Sequence, residues 1–135
     1  MFWELEYKKK LHTADEALSC VRSGMRVYIQ PGCAEPETLV EALMRRAPYV
    51  WNVEIVHMMT MGAAPYVAPE MAGHFRHNAM FIGGNVRDAI NEGRADYTPI
   101  YLSEIEELFE SDAMPIDVAL LTLSPPDPHG FCSFG

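Results

Sequence analysis

Ser124, Asp127 and His129 stand together in SPPDPHG, the string that follows the last apolar run of the chain. Serine, carboxylate and imidazole are the parts of a nucleophilic unit, with the imidazole as base and the carboxylate orienting it. This serine lacks the glycine-flanked elbow between strand and helix that exposes such a nucleophile. The competing reading is local: Ser124 and Asp127 hydrogen-bond within a turn, and His129 orients the loop. Cys33, in QPGCAEPE, is a second candidate, because a helix N-terminus lowers a thiol pKa. No base lies near it in sequence, and packing as a small residue is the alternative. His57, in an apolar run, reads as a hydrogen-bonded core histidine. His74 and His77 share a proposed strand but at odd spacing, so they face opposite sides and do not make a metal pair.

Elements that would position these residues follow from periodicity and punctuation. Met1 to Lys10 is a short helix or a packed arm. Thr13 to Arg22 reads as a helix with a Thr13/Glu16 capping box and Gly24 at its end. Met25 to Gln30 alternates as a first strand. PGCAEPETL then turns into a helix with Pro36 at its first position. Acid lies early in that helix, at Glu35, Glu37 and Glu41, and base late, at Arg45 and Arg46, as its dipole favours. Val53 to Met58 is a second strand, and Thr60 to Glu70 a loop with one short helical turn. Phe75 to Ile82 is a third strand, followed by a helix from Asn85 to Glu92 that Asn85 would cap. Tyr97 to Leu102 is a fourth strand, and Ser103 with Glu106 a capping box for a helix through Phe109. Ile116 to Leu123 reads as a buried last strand. Strands alternating with helices predict an α/β fold: an open, mainly parallel sheet flanked by helices.

In such a sheet, ligands bind beyond the carboxyl ends of the strands. Three loops meet that condition and would emerge on one side: Gln30 to Glu35, Thr60 to Pro65, and Ser124 to Gly135. In the first, Gly32 lets a ligand approach the backbone, and the helix start offers amides to an anion. The alternative there is a plain tight turn with Glu35 as a cap. In the second, Met58, Met59 and Met61 could line an adaptable pocket, although core filling is the commoner use of methionine.

Bulk properties exclude several classes. A net charge of −9 argues against nucleic acid, which is met by a basic face. Three cysteines without metal spacing suggest free thiols in a reducing, cytoplasmic setting rather than a disulfide frame. MFWELEYKKK places its charges after its apolar residues and is no signal peptide, and no apolar run reaches the length of a membrane span. No metal site is expected.

DVALLTLSPPDPHGFCSFG resembles the end of the N-terminal domain of the acetyl-CoA hydrolase/transferase family. AEPETLVEAL, FIGGNVRDAINEGRADYTPIYLSEI and TADEALSCVRSGMRV fit the same family in the same order, so the resemblance covers nearly the whole chain. It implies a two-domain enzyme with its site in the cleft between open α/β layers. Members move CoA between an acyl-CoA and a short carboxylate of the 4-hydroxybutyrate, butyrate, succinate or acetate type. In the family a glutamate carboxylate attacks the acyl-CoA thioester to give a mixed anhydride and free CoA thiolate. The thiolate returns to form a glutamyl-CoA thioester, from which a second carboxylate takes the CoA, a case of covalent catalysis.

By this resemblance the nucleophilic glutamate lies beyond Gly135, and no catalytic residue is assigned within this chain. What carries over is a substrate-binding wall: Gln30, Pro31, Gly32 and Cys33; Thr60, Met61 and Gly62; and Ser124, Pro125, Asp127, His129 and Gly130. Some members carry a histidine about where this chain has Pro31, a departure that bears on the acceptor. No permanently bound cofactor is implied; coenzyme A is a substrate. The expected partners are the acyl-CoA, the short carboxylate, a C-terminal domain and further copies in an oligomer. The alternatives are an acyl-CoA hydrolase of the same family and a separate binding or assembly domain.

Overall fold

The computed structural model describes residues 2–134; Met1 and Gly135, at the ends of the expected first helix and last loop, lie outside the described residues. Its elements, in chain order, are α1 (Phe2–Lys10), α2 (Ala14–Leu18), β1 (Arg26–Ile29), α3 (Glu37–Arg46), β2 (Val53–His57), β3 (Phe75–Ala79), α4 (Arg87–Asn91), β4 (Asp96–Tyr97), α5 (Ile105–Glu110) and β5 (Val118–Leu120). The strands form one sheet in the order β4-β3-β2-β1-β5, and every pairing is parallel.

The order sets the layers. From β1 through β4 the chain steps one way across the sheet, and it then returns to the far side of β1 for β5. Right-handed crossovers moving in opposite directions must place their helices on opposite faces. On one face Val27, Ile29, Ile55 and Phe75 pack with Leu18, Val40 and Leu43 of α2 and α3. On the other, Val56 packs with Ile105 of α5, Met80 and Met114. Alternation along each strand supplies the two sets of side chains. The Thr13/Glu16 capping box is present at the start of α2.

The structure shortens several expected elements, for local reasons. Pro36 is the cap of α3, not its first residue, and no side chain caps that helix. Pro99 has no amide hydrogen, so β4 ends at Tyr97 after Thr98 bonds the Ala79 carbonyl at 2.9 Å. The box expected at Ser103/Glu106 does not form: a 3-10 turn over Leu102–Glu104 has no side-chain cap, the Glu104 amide donates to the Tyr101 carbonyl at 2.9 Å, and Glu104 Oε2 accepts the Tyr101 amide at 3.4 Å. Asn85 does not cap α4, which starts at Arg87. The last apolar run is no buried eight-residue strand. Only Val118–Leu120 pairs, at the sheet edge, because the chain after β1 turns away toward β2: the Gly32 amide bonds Met59 and leaves Leu121 to Leu123 exposed. No helix among the described residues is long and apolar enough to cross a membrane.

Candidate functional site

Between β1 and β5 the strand order reverses, and in open α/β sheets this switch point opens a crevice at the carboxyl ends. A cavity of about 640 Å³ lies there. Its walls are Gly32, Cys33 and Glu35 of the first loop, the start of α3, Met61 and Gly62 of the second loop, and Leu121 to Leu123. An apolar neighbour of about 350 Å³ shares Gly32 and is lined by Pro31, Met58, Met59, Met80, Phe81 and others.

The first two loops are tied together. Gly32 forms an isolated parallel bridge with Thr60, and its amide donates to the Met59 carbonyl at 2.7 Å. Gly32 has φ +70, a conformation that favours glycine at this corner. The Gly62 amide donates to Glu35 Oε2 at 2.6 Å. From the far side, Asn85 Nδ2 donates to Thr60 Oγ1 at 3.0 Å and to the Gly62 carbonyl at 2.9 Å. Gln30 ties the first loop to the segment after β5: its Oε1 accepts the Thr122 amide at 2.6 Å.

Beneath the second loop is a buried aromatic cluster. The rings of His57 and His77 stack with centroids 4.1 Å apart, and neither is measurably accessible beyond 1 %. His57 Nδ1 lies 2.5 Å from the Met58 carbonyl, so it carries the proton, and Nε2 accepts from the Tyr66 hydroxyl at 2.6 Å. His77 donates from Nδ1 to the Ile55 carbonyl at 2.8 Å, while its Nε2 is buried without a partner. Burial, with the neighbouring His77 adding to it, lowers the His57 pKa to about 3 against the pull of the Met58 carbonyl. Burial likewise takes His77 down to about 4, opposed by the Ile55 carbonyl. Both rings are neutral near pH 7. Burial also pushes the Tyr66 hydroxyl well above its ordinary range, with Thr60 partly offsetting the shift.

The third loop is placed differently. Asp127 Oδ1 accepts the amides of His129 and Phe131, at 2.8 and 2.9 Å, and Ser124 Oγ accepts the Ser133 amide at 2.9 Å. These are turn bonds, and no Ser/Asp/His unit assembles. Pro125 lines a separate cleft with Trp3 and Tyr7 of α1, and Gly130 sits where a Cβ would lie 3.0 Å from the Trp3 ring. Of the expected wall residues, Gly32, Cys33, Met61 and Gly62 line the cavity, Pro31 lines its apolar neighbour and Pro125 the cleft beside α1; Leu121 to Leu123 border the cavity on the β5 side.

Two other expectations change. Cys33 is exposed at the cavity rather than packed. Met59 and Met61 are 42 % and 69 % exposed, so they line the cavities instead of filling the core; Met58 is half-buried. Among the described residues no group of three or more His, Cys, Asp or Glu is placed to hold a metal ion.

The family described as acetyl-CoA hydrolase/transferase N-terminal domain matches residues 2–135. The chain belongs to that family. It is 47% identical, over its whole length, to the 4-hydroxybutyrate coenzyme A transferase of Clostridium kluyveri, covering 32% of that protein. It is 41% identical to the succinyl-CoA:acetate/propanoyl-CoA:succinate CoA transferase of Fasciola hepatica, over 96% of the chain and 27% of the relative. Among solved structures, RipA from Yersinia pestis superimposes over the whole chain and 34% of its own, with TM-score 0.88 and 26% identity. The 4-hydroxybutyrate CoA-transferase of Porphyromonas gingivalis does so over 98% of the chain and 30% of its own, with TM-score 0.77 and 29% identity. The chain thus spans about a third of the length of the curated relatives it matches. As a member of this acetyl-CoA hydrolase/transferase family it has the switch-point cavity described above, bordered by its first two loops.

Glu35, Asn85 and Tyr66 were not among the expected site residues. Glu35 and Asn85 bond partners 27 and 25 residues away, at Gly62 and Thr60, and Tyr66 bonds His57 nine residues before it. Spacing carries no signal for such contacts. The parallel order of β1, β2 and β3 brings Glu35 and Asn85 to the second loop.

Proposed function

We propose that this chain is the N-terminal domain of a CoA-transferase that moves CoA between an acyl-CoA and a short-chain carboxylate. In this reading the glutamate that forms the acyl anhydride and the glutamyl-CoA thioester belongs to a further domain. The residues described here form one wall of the cleft. The observation that carries the proposal is the cavity at the β1/β5 switch point, bordered by the loops at Gly32 and Met61, in a chain of this family.

The chemistry of the wall fits a supporting role. It offers exposed methionine side chains, adaptable to an acyl chain. Ser124 Oγ bonds the Pro125 carbonyl and the Ser133 amide, and among the described residues no side-chain base is hydrogen-bonded to Ser124 or Cys33. An apolar pocket beside a polar one suits a substrate with a short hydrocarbon arm and a polar end. The two histidines near the site are buried and neutral, which suits a scaffold rather than proton transfer near pH 7.

The test is CoA exchange between acetyl-CoA and a panel of short carboxylates, using a longer polypeptide that carries this chain. Acyl-CoA consumption that depends on the acceptor supports a transferase. Release of free CoA at the same rate without acceptor would make it a hydrolase.

A further inference from the structure

Glu35 stands directly before α3, yet it does not cap it: the cap position belongs to Pro36, and no side chain bonds the free amides. Its carboxylate instead crosses to the second loop and accepts the Gly62 amide. We infer that Glu35 is a positioning residue, clamping the turn at Gly62 to the first loop so that the two loops present one rigid wall to the cleft.

Three observations carry this. First, the approach requires the glycine. A Cβ on residue 62 would lie 2.5 Å from Glu35 Oε2, 2.8 Å from its Cδ and 2.9 Å from its Oε1. Second, the bond closes a circuit. The Gly32 amide to the Met59 carbonyl, the Gly32–Thr60 bridge and the Glu35 bond tie the loops at successive points. Asn85 holds the same turn from behind, at Thr60 and Gly62. Third, the residue between the tied points is Met61, 69 % exposed and lining the cavity. The clamp fixes the backbone on both sides of Met61 and so fixes where its side chain meets a ligand.

The role needs an oxygen acceptor at the right reach. It does not need negative charge. Glu35→Gln keeps the length and an acceptor oxygen; Glu35→Asp is one methylene short, and Glu35→Ala removes the acceptor.

Two readouts test this in the longer polypeptide, each beside a thermal melt to show that the variant folds. The kinetic readout rests on the transferase reading above; the exchange readout does not. For CoA exchange from acetyl-CoA, Glu35→Ala and Glu35→Asp should lower kcat/KM by about 10- to 100-fold, the usual effect of losing a group that orients a binding group. Glu35→Gln should stay within about threefold of wild type, because a neutral acceptor still bonds the amide, if less strongly. For amide hydrogen exchange over residues 58–66, Glu35→Ala should quicken exchange about tenfold or more, in line with losing one hydrogen bond to a charged group. Glu35→Gln should restore protection, and a peptide from β3 should not change. A Gln variant as impaired as Ala would overturn the clamp in favour of a direct role for the charge. Unchanged exchange in Glu35→Ala would overturn it outright. A wild type with no CoA exchange would remove the transferase reading and leave the exchange readout to decide the clamp.

Discussion

Acid should unfold this chain earlier than its carboxylates alone would dictate, through His57 and His77. Both rings are neutral and buried in the fold, with pKa values of about 3 and about 4, against an ordinary 6.5 once the chain unfolds. Their folded pKa is depressed, so the unfolded state binds more protons as pH falls. Stability is therefore full above pH 6.5 and declines from there until the folded rings themselves take protons near pH 4 and below. At pH 5 each unfolded histidine is about 1.5 pH units below its pKa, which corresponds to roughly 2 kcal/mol per ring and roughly 4 kcal/mol for the pair. That is a large share of the ~5–15 kcal/mol stability of an ordinary domain. Asp96, held low by Arg76, and Glu16, held low by Thr13, lose their contributions as pH falls below their ordinary values of 3.8 and 4.5, under the pH 7 to 5 range of the assay below. The assay is urea unfolding at pH 7, 6 and 5, followed by tryptophan fluorescence, with the midpoint falling at constant m. The His57→Phe/Tyr66→Phe double variant removes both partners of the 2.6 Å bond together and should weaken the pH dependence by about half, since one of two titrating rings is gone. A midpoint that does not move between pH 7 and pH 5 refutes the reasoning, as does a double variant with the wild-type slope.

Asn85→Ala should lower the melting temperature and destabilise by about 1–3 kcal/mol, because the Thr60 hydroxyl and Gly62 carbonyl lose their donor; an unchanged melt would show that the second loop holds without it. The chain on its own should also self-associate, because Leu121, Leu123, Phe131 and Phe134 are all exposed near its end. Sedimentation velocity should show dimers or larger species that diminish in the Leu121→Ser/Leu123→Ser variant, and a monomer at every concentration would count against this.

Much of the layout was legible in the sequence, for identifiable reasons. Val53 to Met58, with Val53, Ile55 and Val56 between turn signals, reads as a strand, and Val53–His57 folds as one. Strand and helix signals in alternation imply a parallel sheet, and parallel order alone puts the ends of β1, β2 and β5 on one side. The Thr13/Glu16 box is a contact three residues long, the range over which spacing is informative. The errors fall where tertiary contacts overrule local pattern. Asn85 looks like a helix cap, yet its amide is drawn to Thr60 and Gly62. Glu35 looks like a cap too, and it reaches Gly62. Ile116 to Leu123 is apolar enough for a buried strand, but the turn at Pro31–Gly32 leaves its second half unpaired. Exposed methionines and an exposed Cys33 invert the usual expectation of burial because they line a cleft.

The account stands most directly on one comparison: CoA exchange between acetyl-CoA and short carboxylates, by this chain alone and by a longer polypeptide that carries it. The account predicts acceptor-dependent exchange by the longer polypeptide and none by the chain, whose cleft wall holds no assembled nucleophile and base. Exchange by the chain alone would contradict it and return attention to Glu35, Asp127 and His129, as would a longer polypeptide that exchanges nothing.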